Sequence, residues 1–517
     1  MIRAVAVTLL ANAVARASAL LSQIVVGLYL TESQVGAFAF ALGINGFCCI
    51  LRSGGASYYL PTIRAEEYDR RAGRYFLWGL AFASFGALLS LVSAGLLPSL
   101  TWLKGAADAP GLAPCLVLLG LRHILAPLGM LGRSRMAVNL QFAELARLDT
   151  ANAILRLAIT WACARAGLGA LALVIPLFAS SVIETVYCLI ASRLTRDAFR
   201  WRNGTVRDMS RRMGWPVVTA SLTSMSLQGH YLIIGTMVPV DTLGVFYFAL
   251  QLTLQPVLVV GLAFQSVFAP LLSRIRGHRD AEASLIRRVF MGSMLFVPVT
   301  TLSIGGLFPL IERLIWHGKW AEASIPIAWL SVGATFATAT AVLVGPLLGA
   351  RHYKTLAGIE LSRAIGVFGG AAIGGIIARF IPEQTHPMLQ PAAIVGATTA
   401  IGMTVTSCIQ LAQVMRHFGV APADIGHHLL YGPAISGLAV VGAVSVAGSA
   451  AQSFALPPGW LGTSIELLIA TVVFIGVTMF AFRTLAEETV RAVAEMLPPS
   501  YRPVYRRIML IGPGALT

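Results

Sequence analysis

Arginine residues occur inside long apolar segments of this sequence, where charged residues are rare. Arg16 shares a helical face with Asn12 and Gln23, and Arg52 shares a face with Asn45. A charged residue at the centre of a membrane span costs about 2.5–3.5 kcal/mol on insertion scales, so it needs polar surroundings. Neither arginine has an acidic residue within one helical turn. Since a guanidinium group binds phosphate through two hydrogen bonds, we expect both to contact an anionic ligand, with structural pairing as the alternative.

Further polar residues recur at helical spacing in other apolar segments. Asp149, Asn152 and Arg156 fall on one helical face, so Asp149 either neutralises Arg156 within the helix or leaves it available to a ligand. Arg122 has no acidic residue nearby and is expected to contact a ligand or to pair with a neighbouring helix. The additional candidates for ligand binding are therefore Arg122, Arg156, Gln251 and Gln255.

Three residues are candidates for binding a coupling ion. His230 is interpreted as a hydrogen-bonding residue between helices or as a titrating group, Glu184 as a partner for an arginine or as a proton site, and Asp149 as the third candidate. Glu360 and Arg363 lie three residues apart and are expected to pair with each other. The sequence contains no phosphate loop, catalytic triad or metal-ligand motif, so we predict neither catalysis nor a cofactor. Coupling to protons, coupling to sodium and downhill movement all stay open.

The composition determines which elements position these residues. Of 517 residues, 57% are apolar and only 12% are charged, whereas soluble domains carry about a quarter charged residues. The net charge of +16 is spread between apolar segments, without a basic arm or an aromatic ladder, which argues against nucleic acid as a partner. All six cysteines lie in apolar segments without metal-ligand spacing. These features predict an all-α polytopic membrane protein.

Apolar runs long enough to cross a bilayer predict about fourteen transmembrane helices. The first run resembles a signal peptide near Ser18, but it continues to Leu30, so we expect an uncleaved first helix. The predicted spans are 4–30, 35–60, 76–99, 111–132, 146–164, 168–192, 215–238, 243–272, 289–311, 326–347, 357–378, 391–413, 431–450 and 461–482.

The basic residues predict the orientation of these spans. With a cytoplasmic N-terminus, the inside segments contain 27 of the 38 lysines and arginines and the outside segments contain five. Cytoplasmic loops of membrane proteins carry such an excess of positive charge. We therefore expect both termini to lie in the cytoplasm.

Two segments six spans apart resemble each other. Residues 35–42 (VGAFAFAL) and 243–250 (LGVFYFAL) are identical at five of eight positions and open the second and eighth spans. An even number of helices per repeat makes the two copies parallel. The predicted organisation is a six-helix bundle at 1–192, a basic cytoplasmic linker at 193–214, a second six-helix bundle at 215–413, and two additional helices with a cytoplasmic amphipathic tail at 414–517.

Several short motifs resemble the oligosaccharide and exopolysaccharide flippases of the multidrug/oligosaccharidyl-lipid/polysaccharide exporter superfamily. They are QGHYLIIG at 228–235 with LGVF at 243–246, APLLS at 269–273, WHGKWAEA at 316–323, and GAF at 36–38. The resemblance implies a fourteen-helix, two-lobed exporter whose central cavity grips a diphosphate through cationic residues, a role that fits Arg16 and Arg52. The family often has an aspartate near the position of His230, and this departure bears on any ion coupling.

The resemblance implies a flippase that moves undecaprenyl-diphosphate-linked oligosaccharide repeat units across the inner membrane by alternating access, for exopolysaccharide or O-antigen-type polymers. The expected partners are this lipid-linked oligosaccharide, membrane lipids, and polysaccharide polymerase and export machinery, and we expect a monomer. Three alternatives stay open: a peptidoglycan lipid II flippase, a multidrug or cation antiporter of the same superfamily, and a non-transporting scaffold in a polysaccharide complex.

Overall fold

The computed structural model describes ten parts of the chain: 2–49, 55–60, 63, 65–99, 109–201, 205–255, 278–349, 353–381, 386–420 and 423–485. Arg52, the APLLS motif at 269–273 and the predicted C-terminal tail from 486 onwards lie outside the described residues. Predictions about them therefore stay predictions.

Helices account for the regular structure of the described residues, which contain no β-strand. The helices of the first half are α1 (Ile2–Tyr29), α2 (Glu32–Cys49), α3 (Ala56–Tyr59), α4 (Tyr68–Leu96), α5 (Leu112–Val138), α6 (Phe142–Arg165), α7 (Leu171–Ser192), α8 (Val206–Ser224), α9 (His230–Gly235) and α10 (240–255). A π-helical turn, Met225–Gly229, joins α8 to α9. Those of the second half are α11 (Arg279–Ile315), α12 (Ser324–Gly349), α13 (Tyr353–Phe380), α14 (Pro391–His417), α15 (Ala423–Ser453) and α16 (Trp460–Leu485).

These elements confirm the predicted fold class, an all-α polytopic membrane protein. Within the described part of the chain, nine helices are long and apolar enough to cross a membrane. If α8 and α9 are counted as one segment and the short α3 is left out, the described residues form fourteen long helical segments. This agrees with the prediction of about fourteen spans.

Several helices extend beyond the predicted apolar spans. The predicted loop at 133–145 is mostly helical, because α5 continues to Val138 and α6 begins at Phe142. Helix α8 begins at Val206, nine residues before the predicted start of its span. There the Thr205 side chain accepts a hydrogen bond of 3.2 Å from the Asp208 amide, which caps the helix. The predicted boundaries are too short because helices continue past the apolar core, where polar side chains find protein or solvent partners.

The described residues form two compact units. The first comprises Met1–Phe248, Tyr353–Thr385 and Leu389–Val395, and the second comprises Ala249–His352, His386–Met388 and Gly396–Thr517. In the first unit α1 packs along α6, α5 packs against α4 and α7, and α13 packs against α8 and α9. In the second unit α11 packs against α12, α15 and α16. The predicted division into two six-helix bundles stays a prediction.

The two copies of the repeated sequence contact each other inside the first unit. A Cβ atom on Gly36 of α2 would overlap the Val240 carbonyl oxygen, and one on Gly244 of α10 would overlap the Glu32 carbonyl oxygen. The two contacts are reciprocal, and both need a residue without a side chain. Small residues permit such close backbone approach between membrane helices. The glycine shared by both copies is therefore required by the packing of α2 against the start of α10.

Candidate functional site

Two arginines on neighbouring helices form the centre of the candidate site. Arg16 lies in the middle of α1 and Arg156 in the middle of α6, and these two helices pack along each other. The two guanidinium groups are close enough to interact electrostatically. Neither forms a hydrogen bond or an ion pair with any of the described residues. Two positive charges are thus held near each other without a hydrogen bond or ion pair to a described residue.

Arg156 is exposed on a helical face whose neighbouring residues are buried. Asn152 and Thr160, one helical turn before and after it, are buried with 9% and 5% of their surface exposed. Arg156 itself is exposed, although residues at these spacings share one helical face. Its guanidinium group also interacts electrostatically with residues on α1, α7 and α10. Groups from three neighbouring helices thus surround the Arg156 side chain.

Tyr247 and Glu184 complete the surroundings of Arg156, since both interact with it electrostatically. Tyr247 on α10 is buried and packs edge-on against Phe38, with ring centroids 5.6 Å apart, and against Tyr231 at 5.3 Å. Aromatic packing from two other helices therefore holds the Tyr247 ring beside Arg156. Glu184 brings a carboxylate from α7.

Asp149 does not pair with Arg156, so that prediction is wrong. Both carboxylate oxygens of Asp149 instead accept hydrogen bonds of 2.8 Å from Arg133 on α5. The same Arg133 Nη1 donates to Glu184 Oε1 at 3.1 Å. Such a two-pronged guanidinium–carboxylate contact is stronger than a pair within one helix. Of the two roles left open for Glu184, the structure shows the partner of an arginine.

The sequence pattern does not mark Arg133 as a site residue. The apolar segment ends at Gly132, so hydropathy places Arg133 in a predicted cytoplasmic loop, where membrane topology readily explains an arginine. In the structure it lies within α5 and ties α5 to α6 and α7. A signal was present, because Arg122 and Arg133 are eleven residues apart and so share a helical face if the helix continues.

Arg122 contacts a neighbouring helix, which is one of the two alternatives predicted for it. Its Nε donates a hydrogen bond of 2.8 Å to Ser181 Oγ on α7. The partner is a hydroxyl group rather than a carboxylate. Arg122 therefore already has a structural contact, unlike Arg16 and Arg156.

Three further candidates lie on α1 and α2. Asn12 is half-buried one turn before Arg16, and Gln23 is buried farther along the same helix. Asn45 on α2 is buried and donates a hydrogen bond of 3.4 Å to Gln228 in the π-helical turn. Arg52, the other arginine expected to contact a ligand, lies outside the described residues.

The candidates on α9 and α10 have different environments. His230 is buried and lies against Tyr231, with ring centroids 4.1 Å apart, and edge-on to Phe246 at 6.1 Å. Gln251 is half-buried and Gln255 is buried, and both belong to the second unit. The roles of these three residues in binding or coupling stay predictions.

The predicted pair of Glu360 and Arg363 on α13 is confirmed. Arg363 Nη1 donates to both carboxylate oxygens of Glu360, at 3.0 and 3.2 Å, and Ser226 Oγ of the π-helical turn donates to Glu360 Oε2 at 3.4 Å. This buried carboxylate therefore has its own partners. Among the residues that the structure describes, no group of histidine, cysteine, aspartate or glutamate side chains could hold a metal ion.

The fold resembles that of solved transporters. The lipid II flippase MurJ in its inward closed conformation aligns with a TM-score of 0.63 at 13% identity. The alignment covers 92% of this chain and 99% of the MurJ chain. An inward-facing multidrug resistance MATE family transporter of the MOP superfamily has a TM-score of 0.54 at 13% identity, covering 78% and 94%. A MOP superfamily transporter from Pyrococcus furiosus, described as having a binding pocket of reverse polarity, has a TM-score of 0.56 at 14% identity, covering 80% and 95%. Identities this low show a shared fold alone.

The sequence itself matches a known family. No curated protein matches it. The model of the family described as "Polysaccharide biosynthesis protein" matches residues 25–325, which is more than half of the 517 residues and includes α6, α7 and α10 with the residues around Arg156. The chain therefore belongs to the polysaccharide biosynthesis protein family.

Proposed function

We propose that the protein is a flippase that moves undecaprenyl-diphosphate-linked oligosaccharide repeat units across the inner membrane by alternating access. The observation that carries this proposal is the pair Arg16 and Arg156, two guanidinium groups near each other that form no hydrogen bond or ion pair with the described residues. Family membership and the transporter-like fold support the same class of activity.

The chemistry of the pair favours an anionic cargo. Like charges held together in a partly desolvated site repel each other, and the repulsion increases as the surrounding dielectric falls. A bound anion relieves it, and a guanidinium group can hold two oxygens of one phosphate. A diphosphate presents a phosphate group to each arginine. We therefore assign the diphosphate to Arg16 and Arg156, together with Arg52 on the sequence argument.

The polar candidates around the pair suit the sugar portion. Asn12 and Gln23 lie on the same helix as Arg16, and amide side chains exchange hydrogen bonds with hydroxyl groups. On the sequence argument alone, Gln251 and Gln255 stay candidates for hydrogen bonds to hydroxyl groups. The distribution of basic residues supports cytoplasmic termini, so we expect the oligosaccharide to be loaded on the cytoplasmic side of the inner membrane.

The arginine pair also separates the proposal from its alternatives. A transporter of cationic drugs needs negative charge in its binding site, and Arg16 and Arg156 supply the opposite. A scaffold without transport gives no reason for two unpaired internal arginines, which are costly in a membrane. A lipid II flippase also carries a diphosphate-linked sugar, so the identity of the sugar must be measured.

The proposal is tested in a deletion strain that carries plasmid-borne variants. Arg16→Ala and Arg156→Ala are each expected to reduce polymer export at least tenfold, because one guanidinium–phosphate contact is worth roughly 1.5–3 kcal/mol. Mass analysis of the accumulating lipid-linked saccharides identifies the cargo. Arg147→Ala is the matched control, since Arg147 lies on α6 and pairs with Glu144 at the surface. Normal export in the double variant Arg16→Ala/Arg156→Ala, at wild-type protein levels, would refute the proposal.

A further inference from the structure

Glu184 lies near two positively charged groups that interact with it in different ways. Arg133 donates one hydrogen bond to Glu184, and Arg156 interacts with it electrostatically. Resting on the proposed function, we propose that Glu184 takes up a proton when an anion binds at Arg16 and Arg156. Glu184 is then the ionised group that balances Arg156 in the empty site and becomes neutral in the loaded one.

The hydrogen bonds distinguish Glu184 from its neighbour Asp149. Asp149 receives two bonds of 2.8 Å from Arg133, one at each carboxylate oxygen. Glu184 receives a single longer bond of 3.1 Å, from a nitrogen that it shares with Asp149. Arg133 therefore binds Asp149 more strongly than Glu184 and compensates the charge of Glu184 less completely. One-third of the Glu184 side chain, 33%, is exposed, so the carboxylate is not sealed inside the protein.

The charged and titratable groups that face Glu184 come from α5, α6 and α7 itself. They are Arg133 from α5, Asp149 and Arg156 from α6, and the Cys188 thiol one turn along α7 itself. Other groups nearby have partners of their own: Arg122 of α5 donates to Ser181, and Glu144 of α6 accepts from Tyr187 and Arg147. In the described part of α2, the charged residue is Glu32, at its first position.

The charges around Glu184 change when an anion arrives. In the empty site two carboxylates, Asp149 and Glu184, face two guanidinium groups, Arg133 and Arg156. A diphosphate diester adds two negative charges beside Arg156, and ionised Glu184 then repels it. Protonation removes this repulsion, as expected for a carboxylate beside another anion. The proton comes from water, no covalent bond breaks other than that of the proton donor, and Arg133 keeps its two bonds to Asp149.

The consequence is a linkage between pH and affinity. A group that gains a proton on binding makes the affinity rise as the pH falls, by up to about tenfold per pH unit for one proton.

The test is calorimetry of purified protein with UDP-glucose, a soluble diphosphate diester that has no titrating group of its own between about pH 5 and 8. Titrations in two buffers with different ionisation enthalpies give the number of protons taken up. The wild type is expected to take up as much as about one proton per bound ligand. Glu184→Gln, which keeps the shape and can still accept from Arg133, is expected to bind without proton uptake. Glu144→Gln on α6 is the matched control and should behave as the wild type.

The outcomes separate this inference from the proposed function. Binding by the wild type without proton uptake at any pH overturns the role of Glu184 and leaves the arginine pair standing. Proton uptake that persists in Glu184→Gln overturns it as well. Absence of anion binding by the wild type, or binding that survives Arg16→Ala/Arg156→Ala, refutes the anion site on which the inference rests.

Discussion

At the scale of single residues, the intramembrane arginines of the first unit differ in their partners. Arg122 and Arg133 donate to side chains on other helices, whereas Arg16 and Arg156 form no hydrogen bond or ion pair with the described residues. Helical spacing in the sequence correctly placed polar residues on shared faces. It could not assign their partners, because spacing describes only one helix at a time and the contact of Arg133 with Asp149 joins α5 to α6.

Arg133 is expected to stabilise the fold rather than to bind cargo. Arg133→Gln removes a charge-assisted contact and leaves Asp149 and Glu184 facing each other. Because 33% to 38% of each of these side chains is exposed, we expect a loss of only about 1–2 kcal/mol in the free energy of unfolding. Thermal unfolding in detergent measures this loss. Arg147→Gln, at a more exposed pair on α6, should leave the melting temperature within about 1 °C of the wild type. Equal stability of the two variants would contradict the assigned role.

At the scale of elements, the helices continue past the apolar segments that predict them. Helix α5 carries Arg133 because it extends to Val138, and α8 begins at Val206 with a capped first turn. Hydropathy detects the part of a helix that meets lipid and misses the turns beyond it. The repeat, in contrast, is visible in the sequence. The glycine that both copies share, Gly36 and Gly244, lies at the contact between α2 and α10.

The contact between α2 and α10 is expected to depend on glycine. Gly36→Ala places a Cβ atom on the Val240 carbonyl oxygen, so the two helices must move apart. Overpacking of this kind costs about 1–3 kcal/mol, which should lower the melting temperature and the export of polymer. Gly95→Ala on α4 is the control, because nothing lies within 4 Å of the added Cβ. If both variants behave alike, the close approach of the two repeats is not a determinant of stability.

At the scale of the whole molecule, composition and apolar runs correctly predicted an all-α polytopic membrane protein of about fourteen helices. The division of the chain into bundles is not readable in the same way, because it depends on which helices pack together. Tyr353–Phe380, for example, belongs to the same compact unit as the N-terminal helices, although 97 residues separate it from α10 along the chain.

The distribution of basic residues predicts the orientation of the molecule, and labelling tests this prediction. In intact cells, a membrane-impermeant maleimide is expected to modify the variant Lys319→Cys and to leave the variant Arg211→Cys unmodified. Lys319 lies in a predicted outside segment, whereas Arg211 lies in a predicted cytoplasmic segment. Both positions are exposed, so accessibility does not bias the comparison. Permeabilised cells should label both. The reverse pattern in intact cells would invert the orientation.

The central claim is that Arg16 and Arg156 together bind the diphosphate of a lipid-linked saccharide. The most direct measurement is native mass spectrometry of the purified protein with undecaprenyl-diphosphate-linked saccharide extracted from the deletion strain. We expect the wild type to bind one molecule and Arg16→Ala/Arg156→Ala to bind at least tenfold more weakly, with Arg147→Ala unchanged. Equal binding by the wild type and the double variant would contradict the claim.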